Sequence, residues 1–241
     1  IARVSWEKTP LLTLCEKGDA TNVTHSWNTE ALGYAADNAQ VSGFTVTFAA
    51  GDANLPTKVT NQVQVLMRKV SVDKTMEWVN KVNTVQGSLF DRQLQIKSKE
   101  LALDLDRALL VQTVQTRADD TQTAGKMVGL ISATTSNVKN LGGTSGVTHD
   151  AYLDLCRTIA DRGGDPDYAI MEGTNKLIVD SWSADKRQWS MRDKELAQEV
   201  AIISSGFSTQ AVVYDKHMPA TDICLFAQKM NYVAYGLPFT F

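Results

Sequence analysis

The chain has 241 residues, of which 43% are hydrophobic and 21% are charged, and its formal net charge at pH 7 is −3. This composition is ordinary for a soluble globular protein and suffices for one large domain or two small ones. The acidic balance argues against a dedicated nucleic-acid binder, which usually carries a basic patch. No apolar run approaches the length of about 18 residues that spans a membrane, so no membrane partner is expected.

The first part of the chain predicts an N-terminal arm and then two strands that enclose a long loop. Pro10 is predicted to open a short helix, which Gly18 closes. Residues 21–30 alternate between apolar and polar side chains, which predicts a half-exposed strand. Residues 61–72 return to the same rhythm and predict a second strand.

The segment 31–60 between these strands has little helix or core pattern. It is rich in Ala, Gly, Asn, Asp and Thr, and the only strand predicted within it follows from the alternation of Phe44, Val46 and Phe48 with threonines. So long a loop is unusual in a compact domain, so this one is either disordered or a functional excursion. Together, the two strands and the loop predict a protruding two-stranded arm.

The longest predicted element is a helix from Ser88 to about Arg117, because no Gly or Pro interrupts residues 88–124. At about 100° per residue, two nearly opposite apolar stripes emerge: Phe90, Leu94, Leu101 and Leu105 on one, and Ile96, Leu103, Leu110 and Val114 on the other. Two stripes predict a helix packed on both sides, as the spine of an extended molecule. Asp104 and Asp106 point about 200° apart and are interpreted as two solvated flanks.

The remainder of the chain alternates helices and strands. Thr148 is predicted to cap a helix that Gly163 and Gly164 end. A short strand at 167–171 and a helix opened by Thr174 complete a small α/β unit. Further strands are predicted at 201–204, 210–215, 222–227 and 231–235.

A search for chemistry yields no catalytic, cofactor-binding or metal-binding residues. The three histidines, His25, His149 and His217, show no metal-ligand spacing and are interpreted as structural or solvated. The aspartates at 161, 165 and 167 are interpreted as a helix-ending turn, and Trp182 and Trp189 as packing residues. An enzyme whose site is assembled from distant residues would leave no spacing signal, so that alternative stays open.

Segments spread over nearly the whole chain resemble the tailed-phage major capsid proteins of the HK97 fold, in particular the group of the phage SU10 capsid protein. The resemblance rests on the order and spacing of many segments rather than on one motif. They include TPLLTL at 9–14, DATNVTHSWNTEAL at 19–32, ADNAQVSG at 36–43, LPTKVTNQVQVLMRKVSVDKTMEWV at 55–79, KSKELALDLDRALL at 97–110, KMVGL at 126–130, GGDPDYAIMEGTNK at 163–176, and HMPATDICLF and YVAYGLPF between 217 and 239.

The resemblance implies an α+β fold of the HK97 type with five parts. These are an N-terminal arm at 1–20, an extended loop at 21–72, a peripheral domain at 73–147 with the spine helix at about 88–117, an α/β axial domain at 148–206, and return strands of the peripheral-domain sheet at 207–241. The extended loop would reach over a neighbouring subunit. Its expected inter-subunit contacts are Phe44, Val46, Phe48 and Lys58.

The resemblance also implies a function. Copies of the chain would form hexamers and pentamers that close into an icosahedral shell around the double-stranded DNA genome of a tailed bacteriophage. The expected partners are other copies of the chain, with cement, portal and scaffolding proteins and loosely contacted DNA. The expected location is the virion, assembled in the bacterial cytoplasm. The alternatives are an encapsulin-like cellular compartment, a tail or portal component, and an α/β enzyme with a dispersed active site.

Overall fold

A computed structural model describes residues 8–30, 35, 37, 39–45, 55–75, 78–79, 88–113, 124–141, 147–182, 202–228 and 232–236. Within those residues the helices are α1 (Pro10–Leu14), α2 (Leu89–Val111), α3 (Leu130–Ala133), α4 (His149–Asp161) and α5 (Gly173–Trp182). The strands are β1 (Glu16–Ala20), β2 (Thr24–Thr29), β3 (Thr57–Gln62), β4 (Tyr168–Met171), β5 (Ile202–Ser205), β6 (Ser208–Tyr214), β7 (Ile223–Phe226) and β8 (Tyr232–Gly236).

The strands form one four-stranded mixed sheet and two strand pairs. The mixed sheet has the order β5-β6-β4-β7, in which β4 runs parallel to β6 and antiparallel to β7. β2 and β3 form an antiparallel pair, and β1 runs parallel to β8. The domain boundary predicted at residue 206 therefore falls inside the mixed sheet, because β6 and β7 join β4 there. Of the described strands after residue 206, β8 alone lies outside that sheet, and it pairs with β1 near the N-terminus.

The main hydrophobic cluster lies where α1, the C-terminal half of α2 and the mixed sheet meet. Its buried members are Leu11, Leu110, Ile170, Met218 and Phe226. A second cluster lies between the sheet and α5, with Ala169, Met171 and Val179 buried. β4 contributes to both clusters because alternate side chains of a strand point to opposite faces of its sheet. The mixed sheet is therefore covered on one face by α1 and α2 and on the other by α5 and α4.

Helix α2 begins where the sequence predicts and ends earlier. The Ser88 hydroxyl accepts a hydrogen bond from the Phe90 amide at 3.2 Å, which caps the first turn. At Gln112 the backbone becomes extended, and its carbonyl accepts from the Gly129 amide at 2.6 Å. This pairing with a distant segment, rather than a helix-breaking residue, ends the helix. Of the predicted extension to 117, residues 114–117 lie outside the described residues.

The two apolar stripes of α2 are buried only toward its C-terminal end. Leu110 is fully buried, whereas Phe90 and Leu94 are 45% and 47% exposed. Val114 lies outside the described residues. Within the single chain, the second stripe is buried at Leu110, and the N-terminal half presents the first stripe to solvent.

Three local predictions near the N-terminus are wrong. Gly18 does not end a helix: it lies within β1, where it pairs with Ala234 of β8. The second strand of the arm is Thr57–Gln62 rather than 61–72, because β2 offers partners only as far as Gln62. Phe44 is not in a strand, since its amide donates to the carbonyl of Val41 in a turn. Val46 and Phe48 lie outside the described residues.

The sequence predictions for the α/β unit are confirmed except at the start of α5, which begins at Gly173 rather than at Thr174. The Thr148 hydroxyl accepts from the Ala151 amide at 3.3 Å and caps α4. Gly163 adopts φ of 80°, and its amide donates to Ala160, which ends α4 in the left-handed conformation that glycine favours. Two of the aspartates around this turn have partners outside it. Asp161 lies near Arg157 of α4, and Asp167 accepts from the Gln228 amide.

Adding a methyl group at Gly129 is expected to destabilise the protein. A Cβ there would lie 2.6 Å from the Gln112 nitrogen and 2.7 Å from the Leu110 oxygen, both of which are backbone atoms. We expect Gly129→Ala to lower the free energy of unfolding by about 1–3 kcal/mol, measured by urea denaturation. Gly206→Ala is the control, because nothing lies within 4 Å of its Cβ position. Equal effects of the two substitutions would contradict the close approach.

Truncating Leu110 is expected to test whether the main cluster holds the fold together. Leu110→Ala should cost about 2–5 kcal/mol, since the side chain is 0% exposed and leaves a cavity. Leu177→Ala makes the same change on α5 at a position that is 72% exposed and should cost less than about 0.5 kcal/mol. The measurement is the same urea denaturation, and a cost below about 1 kcal/mol for Leu110→Ala would contradict the assignment.

Candidate functional site

The antiparallel pair of β2 and β3, here called the arm, has no core of its own. Its register runs from Thr24 opposite Gln62 to Thr29 opposite Thr57. Side chains along β2 and the first part of β3 are mostly exposed, including Lys58, which lies opposite Asn28. A two-stranded hairpin is marginally stable alone in water. The arm therefore depends on what holds its base and on what covers its faces.

The base of the arm is held by side-chain amides that bind a distant stretch of backbone. The amide nitrogen of Asn61 donates to the Val128 carbonyl at 3.3 Å, and the Val128 amide donates to the Asn61 oxygen at 2.9 Å. The Met127 amide donates to the Gln64 side-chain oxygen at 3.2 Å. Asn61 thus offers Val128 the donor and acceptor that a neighbouring strand would offer.

The segment after β3 is tied to helix α2 by an ion pair. The Arg68 guanidinium binds both carboxylate oxygens of Asp104, with the Nη2–Oδ1 distance at 2.6 Å, and Glu100 lies 3.8 Å from Nη1. The hydrogen bond to Asp104 raises the pKa of Arg68 above its ordinary value. Asp104 is partly exposed, as predicted for a flank, but it is paired rather than free. Because the planar guanidinium binds both carboxylate oxygens, the pair fixes the orientation of this segment relative to α2 as well as its distance from α2.

The described part of the loop beyond the arm exposes large apolar side chains. Val41 and Leu55 are 78% and 80% exposed, and Phe44 is half exposed. Val65 and Met67, between the arm and Arg68, are also largely exposed. Of the predicted contact residues, Phe44 and Lys58 are accessible, whereas Val46 and Phe48 lie outside the described residues. A run of exposed apolar groups on a protruding element is typical of an interaction surface.

The interpretation of Asp106, on α2, as a solvated flank is wrong. It is fully buried, and its Oδ1 accepts from the Leu12 amide of α1 at 2.9 Å. Its Oδ2 lies 3.4 Å from Nδ1 of His217, which also lies 3.5 Å from Oδ1 of the buried Asp215. Burial is the main reason that the pKa of Asp215 rises to about 6, with the charge on Asp106 adding to it.

One feature of the sequence could have identified this cluster: the position of Asp106 on an apolar face of α2. Asp106 stands three residues after Leu103 and four before Leu110, so it shares their apolar face. A charged residue at such a position is either buried with polar partners or leaves that part of the apolar face exposed to solvent. Its partners follow β6 and are remote in sequence, so no spacing motif could identify them. Of the two roles predicted for His217, structural or solvated, the structure shows the structural one, because its ring reaches both carboxylates.

The face of α4 toward the sheet also carries a polar network. The Tyr152 hydroxyl donates to the Gln210 side-chain oxygen at 2.7 Å inside the core, and burial raises the pKa of Tyr152. Trp182 packs against the rings of His149 and Tyr152 at 5.5 Å and 5.7 Å. The packing role predicted for Trp182 is confirmed, and Trp189 lies outside the described residues.

Comparison with known protein families shows which family the chain belongs to. The family model described as SU10 major capsid protein matches residues 1–241. The chain belongs to the SU10 major capsid protein family. No helix in the described part of this capsid protein is long and apolar enough to cross a membrane.

This capsid protein also resembles a solved structure. It is similar to a chain in the capsid structure of the cyanophage P-SCSP1u, with 12% identity and a TM-score of 0.47. The match covers 86% of the capsid protein described here and 62% of the cyanophage chain, so it spans less than two thirds of that chain. No curated protein matches.

Removing the Asn61 side chain should release the base of the arm in this capsid protein. In Asn61→Ala, the Val128 amide loses the acceptor that lies 2.9 Å away, and its hydrogen exchange should speed up about tenfold, the equivalent of one hydrogen bond. The measurement is native-state hydrogen exchange with NMR or mass-spectrometric readout. Asn28→Ala, an exposed asparagine on the same arm, serves as the control. Unchanged exchange at Val128 would show that the arm is anchored elsewhere.

Proposed function

We propose that this protein assembles as hexamers and pentamers into the icosahedral head shell that encloses the double-stranded DNA genome of a tailed bacteriophage. The proposal places it in the virion after assembly in the bacterial cytoplasm. The observation that carries it is the arm with the loop beyond it: Asn61 fixes the base of the arm, and the loop exposes Val41, Phe44 and Leu55 to solvent. An element built this way gains stability from a neighbouring copy.

The proposed architecture is of the HK97 type. In it the segment 21–72, which contains the arm, is the extended loop. Helix α2 is the spine of a peripheral domain, and the α/β unit from 148 is the axial domain. The β1–β8 pair returns the chain to the peripheral domain. Because β6 and β7 share a sheet with β4, the axial domain takes in strands beyond residue 206. The proposed contacts between subunits remain Phe44, Val46, Phe48 and Lys58.

The stability of such a shell would come from summing many modest interfaces. A standard interface buries roughly 1,600 Å², and an interlocked subunit makes several. Among the described strands, β2 and β3 pair only with each other, so each would offer its outer edge to a strand of a neighbouring copy. The apolar stripe at Phe90 and Leu94, exposed within the single chain, is a second surface that neighbouring copies would cover.

Other proposed partners are the cement, portal and scaffolding proteins of the head. Packaged DNA would be contacted without sequence specificity. The net charge of −3 favours weak contact with the genome, because phosphates attract basic rather than acidic surfaces. Loose contact would also let DNA enter and leave the shell.

The shell proposal is tested by negative-stain electron microscopy of the full-length protein beside size-exclusion chromatography. We expect closed particles, with or without co-expressed scaffold. Nucleic acid inside particles from infected cells would distinguish a virus head from an encapsulin-like compartment. Rings or tubes would indicate a portal or tail component. A persistent small oligomer would contradict the proposal and favour an enzyme with a dispersed site.

The arm tip is tested by changing Phe44, whose ring is half exposed in the single chain. Phe44→Asp should abolish assembly, because a charge would be buried at the interface, and should leave the melting temperature of the unassembled protein within about 2 °C of the original. Phe44→Leu is the matched control and should still assemble. Normal particles from Phe44→Asp would show that Phe44 is not an inter-subunit contact.

A further inference from the structure

The cluster of Asp106, Asp215 and His217 gathers three potential metal ligands in the interior. One ligand atom from each residue lies within 4.8 Å of the other two. The two aspartates are fully buried, and His217 is largely buried. They come from two parts of the chain, α2 and the turn after β6. This turn packs beside α1, whose Leu12 amide binds Asp106.

Charge balance in the cluster is incomplete. Among the described residues, neither Asp106 nor Asp215 forms an ion pair with a lysine or arginine, and their only basic neighbour is the His217 ring. Two buried carboxylates beside one imidazole carry a net negative charge even when the ring is protonated. Burying uncompensated charge is costly, so such sites are usually completed by a cation or neutralised by a proton.

One carboxylate oxygen in the cluster has no hydrogen-bond partner. Asp215 Oδ1 accepts from the His217 amide at 2.8 Å, whereas its Oδ2 is buried and unsatisfied among the described residues. Oδ2 belongs to a carboxylate that faces Asp106 and His217 rather than solvent. Most buried polar atoms in native proteins have a partner, so an orphaned carboxylate oxygen points to a ligand.

The distances at His217 favour coordination over a hydrogen bond. Its Nδ1 lies 3.4 Å from Asp106 Oδ2 and 3.5 Å from Asp215 Oδ1. A single N–H can point well at only one of these oxygens, and both distances are long for a charge-assisted bond. Two ligands bound at about 2.0–2.2 Å to a tetrahedral zinc ion lie about 3.3–3.6 Å apart. The two spacings at His217 Nδ1 fit that geometry.

We propose that Asp106, Asp215 and His217 bind one divalent transition-metal ion of the zinc or manganese class. Imidazole and carboxylate together suit these ions, whereas magnesium and calcium prefer sites made of oxygen alone. The ion links α2 to the turn after β6 and neutralises the carboxylate that holds α1. The site stabilises the folded chain and is independent of how the shell assembles.

The experiment is metal binding by the full-length, chelator-treated protein, with Zn²⁺ and Mn²⁺ as probes and Mg²⁺ as the comparison. Calorimetry should show one Zn²⁺ per chain. Zinc at 100 times its dissociation constant should raise the melting temperature by about 5–10 °C. Cobalt, which reports a tetrahedral site by intense visible absorption, should bind in the same ratio and be displaced by zinc.

Variants locate the ion. Asp215→Asn and His217→Ala should each lose the zinc-dependent rise in melting temperature. Asp104→Asn is the matched control on α2, because Asp104 is partly exposed and bound to Arg68, so it should keep that rise. Retention of zinc binding in both cluster variants would overturn the proposal by placing the metal elsewhere. Failure of the unsubstituted protein to bind zinc, manganese or cobalt would overturn it without reference to any variant.

Discussion

The described fold depends on the packing of the last turns of α2 against α1, the mixed sheet and the segment at Gly129. Leu110 is fully buried in the cluster that joins α1 to the mixed sheet, and Gly129 lies against its backbone. One turn earlier, Asp106 accepts the Leu12 amide, a charge-assisted bond worth about 1.5–3 kcal/mol. Since α1, the sheet and the segment at 129 all converge here, this end of the helix sets the geometry from which the other elements extend.

Packing becomes sparser with distance from that contact. The arm is joined to the body through Asn61 and Arg68, and beyond them its side chains are mostly exposed. The first turns of α2 show the same trend, with Phe90 and Leu94 uncovered. A chain that completes its core at one end of a long helix and leaves apolar groups at the other is suited to assembly, because copies can cover what the single chain exposes.

Local signals in the sequence predicted most elements, whereas their ends and partners depended on contacts distant in sequence. The start of α2 at Ser88, the cap at Thr148 and the glycine turn after α4 were predicted because each depends on residues close by in the sequence. The end of α2 was not, since it is set by pairing with Gly129. The same holds for the candidate site. The alternation of apolar and polar residues predicted the strands of the arm, whereas burial of Asp106 depends on His217, which no local pattern connects to it.

The most direct test of the central claim is a cryo-electron microscopy reconstruction of the assembled shell. The account predicts that the arm of each subunit lies across a neighbouring subunit, with Phe44 buried at that contact and the Asn61–Val128 bonds retained at its base. A closed shell in which the arm folds back on its own chain, or stays in solvent with Phe44 exposed, would contradict it.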